Sequence, residues 1–360
     1  MTTLLRSLVA GFCLLVLGAL LTSVYLSRPL FTDTLDPAMA TGVSIAPVDQ
    51  ALTLARYREQ GRPRVLLVRS YEADSVVGVD LTVHFDRPQA DALRLFHEFG
   101  YDTVAAAAGG VPVTVDVARL EVPFEGREAN IGIGASYPEH ARESQVEEKP
   151  FVFPKRASLT HFSSAVGRRP SVLLDYEGEL GLVVLQDIAG PTPAPRTMGL
   201  VLCNELTDRW ALVRHYRRGA PMGTTGFVEG KSRAGFAVVG PLLVIPRDLD
   251  SFYKQITLRL YLNGRLRQQD SAGNMAWGPR EILAEIFRRK DWVFRSHEGV
   301  VPLLDAAGTI PAGTVIFSGT PAGVIFKPHN LWNPWAYLRP GDEVVIRADA
   351  LGVIRNRIVK

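Results

Sequence analysis

The longest apolar stretch of the chain runs from Ser7 to Ser27 without a charged residue, bounded by Arg6 on one side and Arg28-Pro29 on the other. As a helix rising 1.5 Å per residue it reaches about 30 Å, the thickness of a bilayer's hydrocarbon core. It is expected to be an uncleaved single-pass signal anchor (residues 1–28), in preference to a cleaved signal peptide. A cleaved signal has a shorter apolar core and small residues at the cut, and Thr22 to Ser27 offers a poor site. The flanking charges are nearly balanced, and Arg6 with the amino group tips the N-terminus inward and the remaining chain outside the cytoplasm. A proline-containing linker is expected at residues 29–41.

Beyond this the hydrophobic period shortens. Val65 to Val68 predicts a buried strand, and Val77, Val79, Leu81, Val83 and Phe85 alternate with polar or small residues as a half-buried strand. From Gln89 to Phe99 the spacing of Ala92, Phe96 and Phe99 predicts a helix, so residues 42–126 read as a small N-terminal α/β unit, without recognisable chemistry. Ile131 to Gly134 predicts a buried strand, followed by a small-residue turn and a helix with Ser136 near its cap and Pro138 in its first turn. Ile256 to Leu262 alternates and ends in Asn263-Gly264, a hairpin signal, and Gly278 to Arg289 carries Ile282, Leu283 and Ile286 on one helical side. Strands outnumber helices, which predicts a β-rich α+β fold and not a doubly wound sheet.

At 360 residues, with 47% hydrophobic and 21% charged positions, the composition is that of a globular protein with a substantial core. A net charge of +3 does not point to nucleic acid. The basic cluster Arg214, His215, Arg217 and Arg218 has only Tyr216 to stack a base; a solvated turn is expected, with an anion-attracting rim as the alternative. The two cysteines fall in unlike places: Cys13 lies in the apolar run and Cys203 near a candidate ligand, where a small buried hydrophobe is expected ahead of a thiolate.

Three segments carry candidate chemistry. Glu177 and Glu179 lie two apart between apolar runs, so on a strand they would share a face, and Glu205 follows. Three oxygen ligands favour magnesium, manganese or calcium over zinc. His140 and Glu143 at i and i+3 are helical neighbours, the arrangement in which a carboxylate orients an imidazole that activates water. Ser318 to Val324 places glycines on both sides of Thr320, allowing close approach of a small anion.

From about Arg127 onward the chain resembles the fumarylacetoacetate hydrolase family, in that family's order. Gly134 to Glu143 is similar to its active-site turn and lid helix, Phe151 to Lys155 to its lysine-bearing strand, and Asp175 to Leu180 to its metal strand. Cys203 to Arg209 resembles the third-ligand strand, Gly230-Lys231-Ser232 the catalytic lysine turn, Ser318 to Val324 the threonine loop, and Leu338 to Val344 the closing turn. The resemblance implies a mixed β-roll catalytic domain over residues 127–360, a homodimer, and Mg²⁺ or Mn²⁺, with Ca²⁺ as a further candidate, held by Glu177, Glu179 and Glu205. It implies His140, Glu143 and Lys231 as catalytic residues, and Tyr137, Lys155, Arg209 and Thr320 as substrate-binding residues. The implied activity is hydrolysis or decarboxylation of a β-keto or acyl-pyruvate-type acid. An isomerase or hydratase of the same family and a non-catalytic membrane-anchored binding module are the alternatives.

Several positions depart from the family pattern. Glu205 stands where aspartate is usual, Ser136 where asparagine is usual, and Ala135, Asp208 and Trp210 are also atypical; these changes are expected to enlarge or re-polarise the pocket. The aromatic group Phe326, Trp332, Trp335 and Tyr337 is expected to pack at the domain edge, ahead of lining the substrate or meeting lipid. His161, His297 and His329 are expected to be structural or surface residues.

Overall fold

The structure, a computed structural model, describes residues 3–26, 30–36, 42–88, 91–146, 149–169, 171–193, 195 and 197–360. Helix α1 (Thr3–Leu26) is long and apolar enough to cross a membrane by length and composition, a property it shares with signal sequences. Of its described side chains only Ser23 is buried: its hydroxyl donates to Asn330 Oδ1 at 2.8 Å and accepts from Asn333 Nδ2 at 2.9 Å. Of the expected linker, Leu30–Asp36 is described, and Leu35 N–H bonds Gly264 O at 2.7 Å; residues 29 and 37–41 lie outside the described residues.

Strands β1 (Ala51–Glu59), β2 (Arg62–Tyr71) and β3 (Ser75–Asp80) form a meander. The alternation from Val77 to Phe85 predicts one strand, but the strand stops at Asp80. There the Asp80 carboxylate accepts the Val83 N–H at 3.0 Å and starts the one-turn helix α2 (Leu81–His84). Helix α3 (Ala92–Ala106) starts later than expected, capped by Asp91 on Leu93 N–H at 2.9 Å; Gln89 lies outside the described residues. It also runs beyond Phe99, with a kink at Gly100. Strand β4 (Pro112–Asp116) completes the unit.

The N-terminal strands do not close on themselves. Further along come β5 (Ala129–Gly134), α4 (Pro138–Glu143), β6 (Phe151–Arg156), β7 (Ala165–Gly167), β8 (Leu174–Asp175), β9 (Gly178–Val183) and β10 (Gly199–Glu205). These are followed by β11 (Thr207–Asp208), α5 (Arg209–His215), α6 (Phe227–Lys231), β12 (Ala237–Val239) and β13 (Leu242–Pro246). β1 pairs antiparallel with β13, so residues 42–126 extend the same sheet that carries the chemistry. The reason is burial of both faces: Leu52 and Leu54 face one core while Ala51 and Ala55 face the other, and only a covered sheet accommodates both.

The remaining elements are α7 (Leu249–Phe252), β14 (Thr257–Leu262), β15 (Arg265–Ser271), α8 (Pro279–Arg288), β16 (Phe294–Ser296), β17 (Gly299–Val301), β18 (Val315–Phe317), β19 (Glu343–Ala348) and β20 (Gly352–Val359). β14 and β15 form the predicted hairpin, with Asn263 and Gly264 both at positive φ (51° and 76°). The large sheet runs β4-β3-β2-β1-β13-β10-β9-β18-β5-β6, with β12 beside β10; a second sheet runs β15-β14-β19-β20-β7. Leu180, Leu202 and Leu200 pack toward Leu258, Leu260 and Ile346 of the second sheet, while Val183, Val201 and Cys203 face the side covered by α3.

Gly181 lies opposite Val201 in the β9–β10 register, on that second face. A Cβ there would meet Cys203 Sγ at 2.6 Å and Val201 Cγ2 at 2.7 Å. Gly181→Ala is therefore expected to destabilise by about 1–3 kcal/mol through overpacking. A denaturant midpoint equal to that of the unchanged protein would refute this reading of the contact.

Candidate metal centre and the adjoining pocket

The strand period determines half of the centre. On β9, Glu179 shares a face with Gly181 and Val183; on β10, Glu205 shares a face with Cys203 and Val201, and Cys203 lies opposite Glu179 in the register. Glu177 is not on the same strand as Glu179. It sits in the break between β8 and β9, where its carbonyl accepts the Glu205 N–H at 2.9 Å and its N–H reaches Asn204 Oδ1 at 3.3 Å. The break still brings the three carboxylates together: ligand atoms of Glu177, Glu179 and Glu205 all lie within 4.8 Å of one another, and all three residues are buried.

Buried acids require compensation, and three cations supply it. Lys231, the last residue of α6, donates to Glu177 Oε2 at 2.6 Å and Glu205 Oε2 at 2.5 Å. Lys155 on β6 lies 3.3 Å from Glu205 Oε1 and donates to Lys231 O at 2.6 Å. Arg209 bonds Asp175 Oδ2 at 2.8 Å and Glu177 Oε1 at 2.5 Å, with its guanidinium 5.1 Å from the Phe326 ring centre. Arg209 is thus buried within the site and is not a surface ion-pair partner. Glu205 uses its extra methylene to reach both lysines.

Glu179 is the exception. Its Oε2 accepts from Gly319 N–H at 3.0 Å, while its Oε1 is buried with no hydrogen-bond partner. Gly319 has φ +93°, and a Cβ there would lie 2.6 Å from Ser136 Cβ, so only glycine brings this N–H so close. Burial, reinforced by Glu205 and Glu177, pushes the Glu179 carboxyl well above the usual range. For Glu177, burial also raises the pKa, but Lys231 and Arg209 outweigh it and hold the group well below that range. Burial lowers Lys155; at Lys231 the attraction of Glu177 and Glu205 overcomes burial and raises the pKa. An unpartnered carboxylate oxygen beside two further carboxylates fits a hard divalent cation.

The turn after β5 positions the next pair. Ala135 takes φ +56°, Tyr137 occupies the cap of α4 without a side-chain bond, and Pro138 starts the helix. His140 Nδ1 lies 3.1 Å from Glu143 Oε1, as the spacing predicts. Glu143 is held in turn by Gly323 N–H at 2.9 Å and Lys327 at 3.6 Å.

A cavity of about 260 Å³ opens beside the cluster, and His140, Glu177, Arg209, Lys231 and Thr320 line it. Glu143 lies behind His140. Glu179, Glu205, Lys155 and Tyr137 are buried outside its lining; Tyr137 is fully buried with its hydroxyl unpartnered. The Thr320 hydroxyl is already engaged, donating to Gly178 O at 3.0 Å and accepting from Gln268 Nε2 at 2.8 Å.

The atypical residues act differently from the expectation. Asp208 caps α5 through Trp210 and Ala211 N–H and pairs with Arg233 at 2.7 Å, and Trp210 points outward; neither lines the cavity. Ala135 does line it. The aromatic group splits: Tyr337 is buried, Phe326 lines the cavity, and Trp332 and Trp335 are 61% and 64% exposed.

Two residues with no assigned sequence role prove central. Asp175 accepts from Arg209, Ile325 N–H and Phe326 N–H, each within 2.9 Å, tying the arginine to the loop that follows Thr320. Gln268 accepts from Gly178 N–H at 3.0 Å and donates to Thr320 Oγ1 and Pro321 O. Its signal was readable: an uncharged polar residue at the inward register of β15, in step with Leu266.

Comparison with known proteins agrees with this geometry. Oxaloacetate tautomerase YisK of Bacillus subtilis is 27% identical over 261 residues, covering 69% of this chain and 76% of its own length. Among solved structures, a fumarylacetoacetate hydrolase from Exiguobacterium antarcticum superposes with TM-score 0.62 at 24% identity, covering 86% of this chain and 99% of that one. A 2-hydroxyhepta-2,4-diene-1,7-dioate isomerase from Mycobacterium marinum gives TM-score 0.56 at 17% identity, covering 86% and 98%. These structures share the mixed, β-rich fold. Residues 129–359 match the profile of the fumarylacetoacetate (FAA) hydrolase C-terminal domain, and the chain therefore belongs to that family.

Proposed function

We propose that this chain is a divalent-cation-dependent enzyme that cleaves a carbon–carbon bond in a β-keto or acyl-pyruvate-type acid, by hydrolysis or decarboxylation. The observation that carries this reading is the unpartnered Glu179 Oε1 beside Glu177 and Glu205, next to a cavity that also holds His140. Glu177, Glu179 and Glu205 would hold Mg²⁺ or Mn²⁺, which when bound supplies Lewis-acid polarisation of adjacent keto and carboxylate oxygens. The 3.1 Å contact between His140 Nδ1 and Glu143 leaves Nε2 to take a proton from water. The resulting hydroxide adds to the acyl carbonyl carbon, the bond to the neighbouring methylene breaks, and its electron pair passes to the pyruvate-type fragment as an enolate. Lys231 spends two of its three donors on carboxylates, leaving one for that enolate. Arg209 and Thr320 line the place where the keto acid's head would lie, with Lys155 and Tyr137 supporting from behind.

A second reading is favoured by the B. subtilis relative, named for oxaloacetate tautomerisation. In that reaction a base removes a proton from the carbon next to the keto group of the intact acid, and the enolate so formed is protonated on oxygen or on carbon, giving tautomerase or isomerase activity with no water attack and no carbon–carbon bond broken. Incubating the purified, detergent-solubilised full chain with Mg²⁺ or Mn²⁺ separates the two. Hydrolysis of an acylpyruvate releases pyruvate and a carboxylic acid, whereas tautomerisation changes the enol absorbance of oxaloacetate with no fragment released. Neither change in either metal would refute the enzyme reading.

The same proposal includes a homodimer and an uncleaved α1 anchor with the catalytic body outside the cytoplasm. The protein is expected to stay in the membrane fraction through high-salt and carbonate washing, and a chain lacking residues up to 29 is expected to be released. Mature protein starting after Ser27 would refute the anchor. Protection from external protease in spheroplasts, lost only on lysis, would reverse the orientation.

A further inference from the structure

The cavity beside the carboxylate cluster is chemically two-sided. Its charged wall is made by Glu177, Arg209, Lys231 and His140. Away from that wall the lining is Val146, Phe151, Leu212, Val213, Met222 and Phe227, drawn from the chain after α4, β6, α5, the α5–α6 connection and α6. The Phe151 and Phe227 rings meet edge-on at 4.9 Å, and Phe153 backs both, so this half is a packed apolar surface. Its polar contributors, Ser144, Gln145 and Tyr216, bring hydroxyl and amide groups.

The distribution of cations is decisive. Among the described lining residues the lysine and arginine side chains are Arg209 and Lys231, both at the charged wall beside His140 and both already bonded to carboxylates. The nearby Arg142 on α4 is 74% exposed on its side chain and pairs with Glu139, and Arg214, Arg217 and Arg218 are exposed and absent from the lining. A carboxylate placed against Phe151 and Met222 would lose hydration with no cation there to replace it, only the hydroxyl and amide donors of Ser144, Gln145 and Tyr216 elsewhere in the lining. An alkyl or aryl group there would be favoured by roughly fourfold per methylene, the equivalent of about 0.8 kcal/mol.

From this geometry we infer that the site takes a monocarboxylic keto acid whose acyl end is an apolar chain or ring, and selects against a second, distal carboxylate. The inference rests on the keto-acid reading above and adds the substrate class to it. It also separates this chain from a diacid enzyme on observable grounds, since the oxaloacetate and 1,7-dioate named for its relatives are both dicarboxylates.

The test is binding of non-cleavable 2-oxo acids to the detergent-solubilised full chain with Mn²⁺, by calorimetry or thermal shift. One series lengthens the alkyl tail from pyruvate to 2-oxooctanoate; the other ends in a carboxylate, from 2-oxoglutarate to 2-oxopimelate. Affinity is expected to rise about fourfold per methylene in the first series until the cavity is full, and each diacid is expected to bind at least about tenfold more weakly than the alkyl acid of equal length. Met222→Lys, which keeps an unbranched side chain of similar length in a loop, is expected to reverse that preference, and Met222→Leu to keep it. Affinity independent of chain length, or tighter diacid binding to the unchanged protein, overturns the apolar-tail inference while leaving the keto-acid reading intact. Failure of every 2-oxo acid to bind to a chain that does bind Mn²⁺ overturns both.

Discussion

His140→Ala is expected to lower acyl-pyruvate hydrolysis by about 10²–10⁴-fold, since water activation depends on the imidazole facing the cavity with Glu143 behind it. Decarboxylation and tautomerisation do not need an attacking water and are expected to suffer less, so the ratio of the three rates in one variant is the informative quantity. Glu143→Ala leaves the imidazole present but unoriented, and also removes the acceptor for Gly323 N–H. Its effect is expected to be smaller in rate and accompanied by altered binding through the Thr320 loop. Hydrolysis at full rate in both variants would exclude the dyad as the base.

Mn²⁺ is expected to stabilise the fold by about 2.7 kcal/mol at a hundredfold excess over Kd, which raises the unfolding temperature by a few degrees. Glu179→Gln and Glu177→Ala are expected to differ in metal-free stability. Burial, with Glu205 and Glu177 nearby, pushes the Glu179 carboxyl upward and so favours its neutral form in the metal-free fold. Glutamine resembles that neutral form, so Glu179→Gln is expected to abolish the metal response while preserving metal-free stability. Glu177→Ala instead strands Lys231 and Arg209 without their shared partner, and is expected to cost about 3–5 kcal/mol before any metal is added.

The upward shift at Glu179 also gives the pH dependence its sign. An unfolded glutamate releases its proton near about pH 4.3, whereas the folded-state value is higher, so metal-free stability contributed by this group declines as pH rises between the two. A bound cation displaces that proton, and its apparent affinity falls as pH falls. The Mn²⁺ increment is therefore expected to be larger at about pH 8 than at about pH 5.5. An increment that shrinks with rising pH, or a Glu179→Gln protein that still responds to Mn²⁺, would remove Glu179 from the ligand set.

Where a feature was legible in the sequence, its cause was local. The i, i+3 spacing of His140 and Glu143 became a 3.1 Å contact because one turn of helix dictates it. Asn263-Gly264 made the hairpin because both central positions need positive φ. The apolar run became α1, and the parity of Glu205 with Cys203 and of Glu179 with Gly181 followed from the strand period. Asp80 ended a strand that alternation alone would have continued, because a side-chain cap competes locally with the ladder.

The tertiary structure alone decided what meets what. Glu177 reaches the cluster from a break between strands, Lys231 from the end of a short helix, and Lys155 from the last strand of the same sheet, at sequence separations that no period encodes. Residues 42–126 join the sheet that carries Glu179 and Glu205 because the inner edges of β1 and β13 satisfy each other's backbone groups and both faces of β1 are apolar. The division of the cavity into a charged and an apolar wall likewise arises from several segments brought together. Sequence determines which residues can share a face. The burial of all faces at once, with cations such as Lys231 and Arg209 set against the buried Glu177 and Glu205, determines which faces come together.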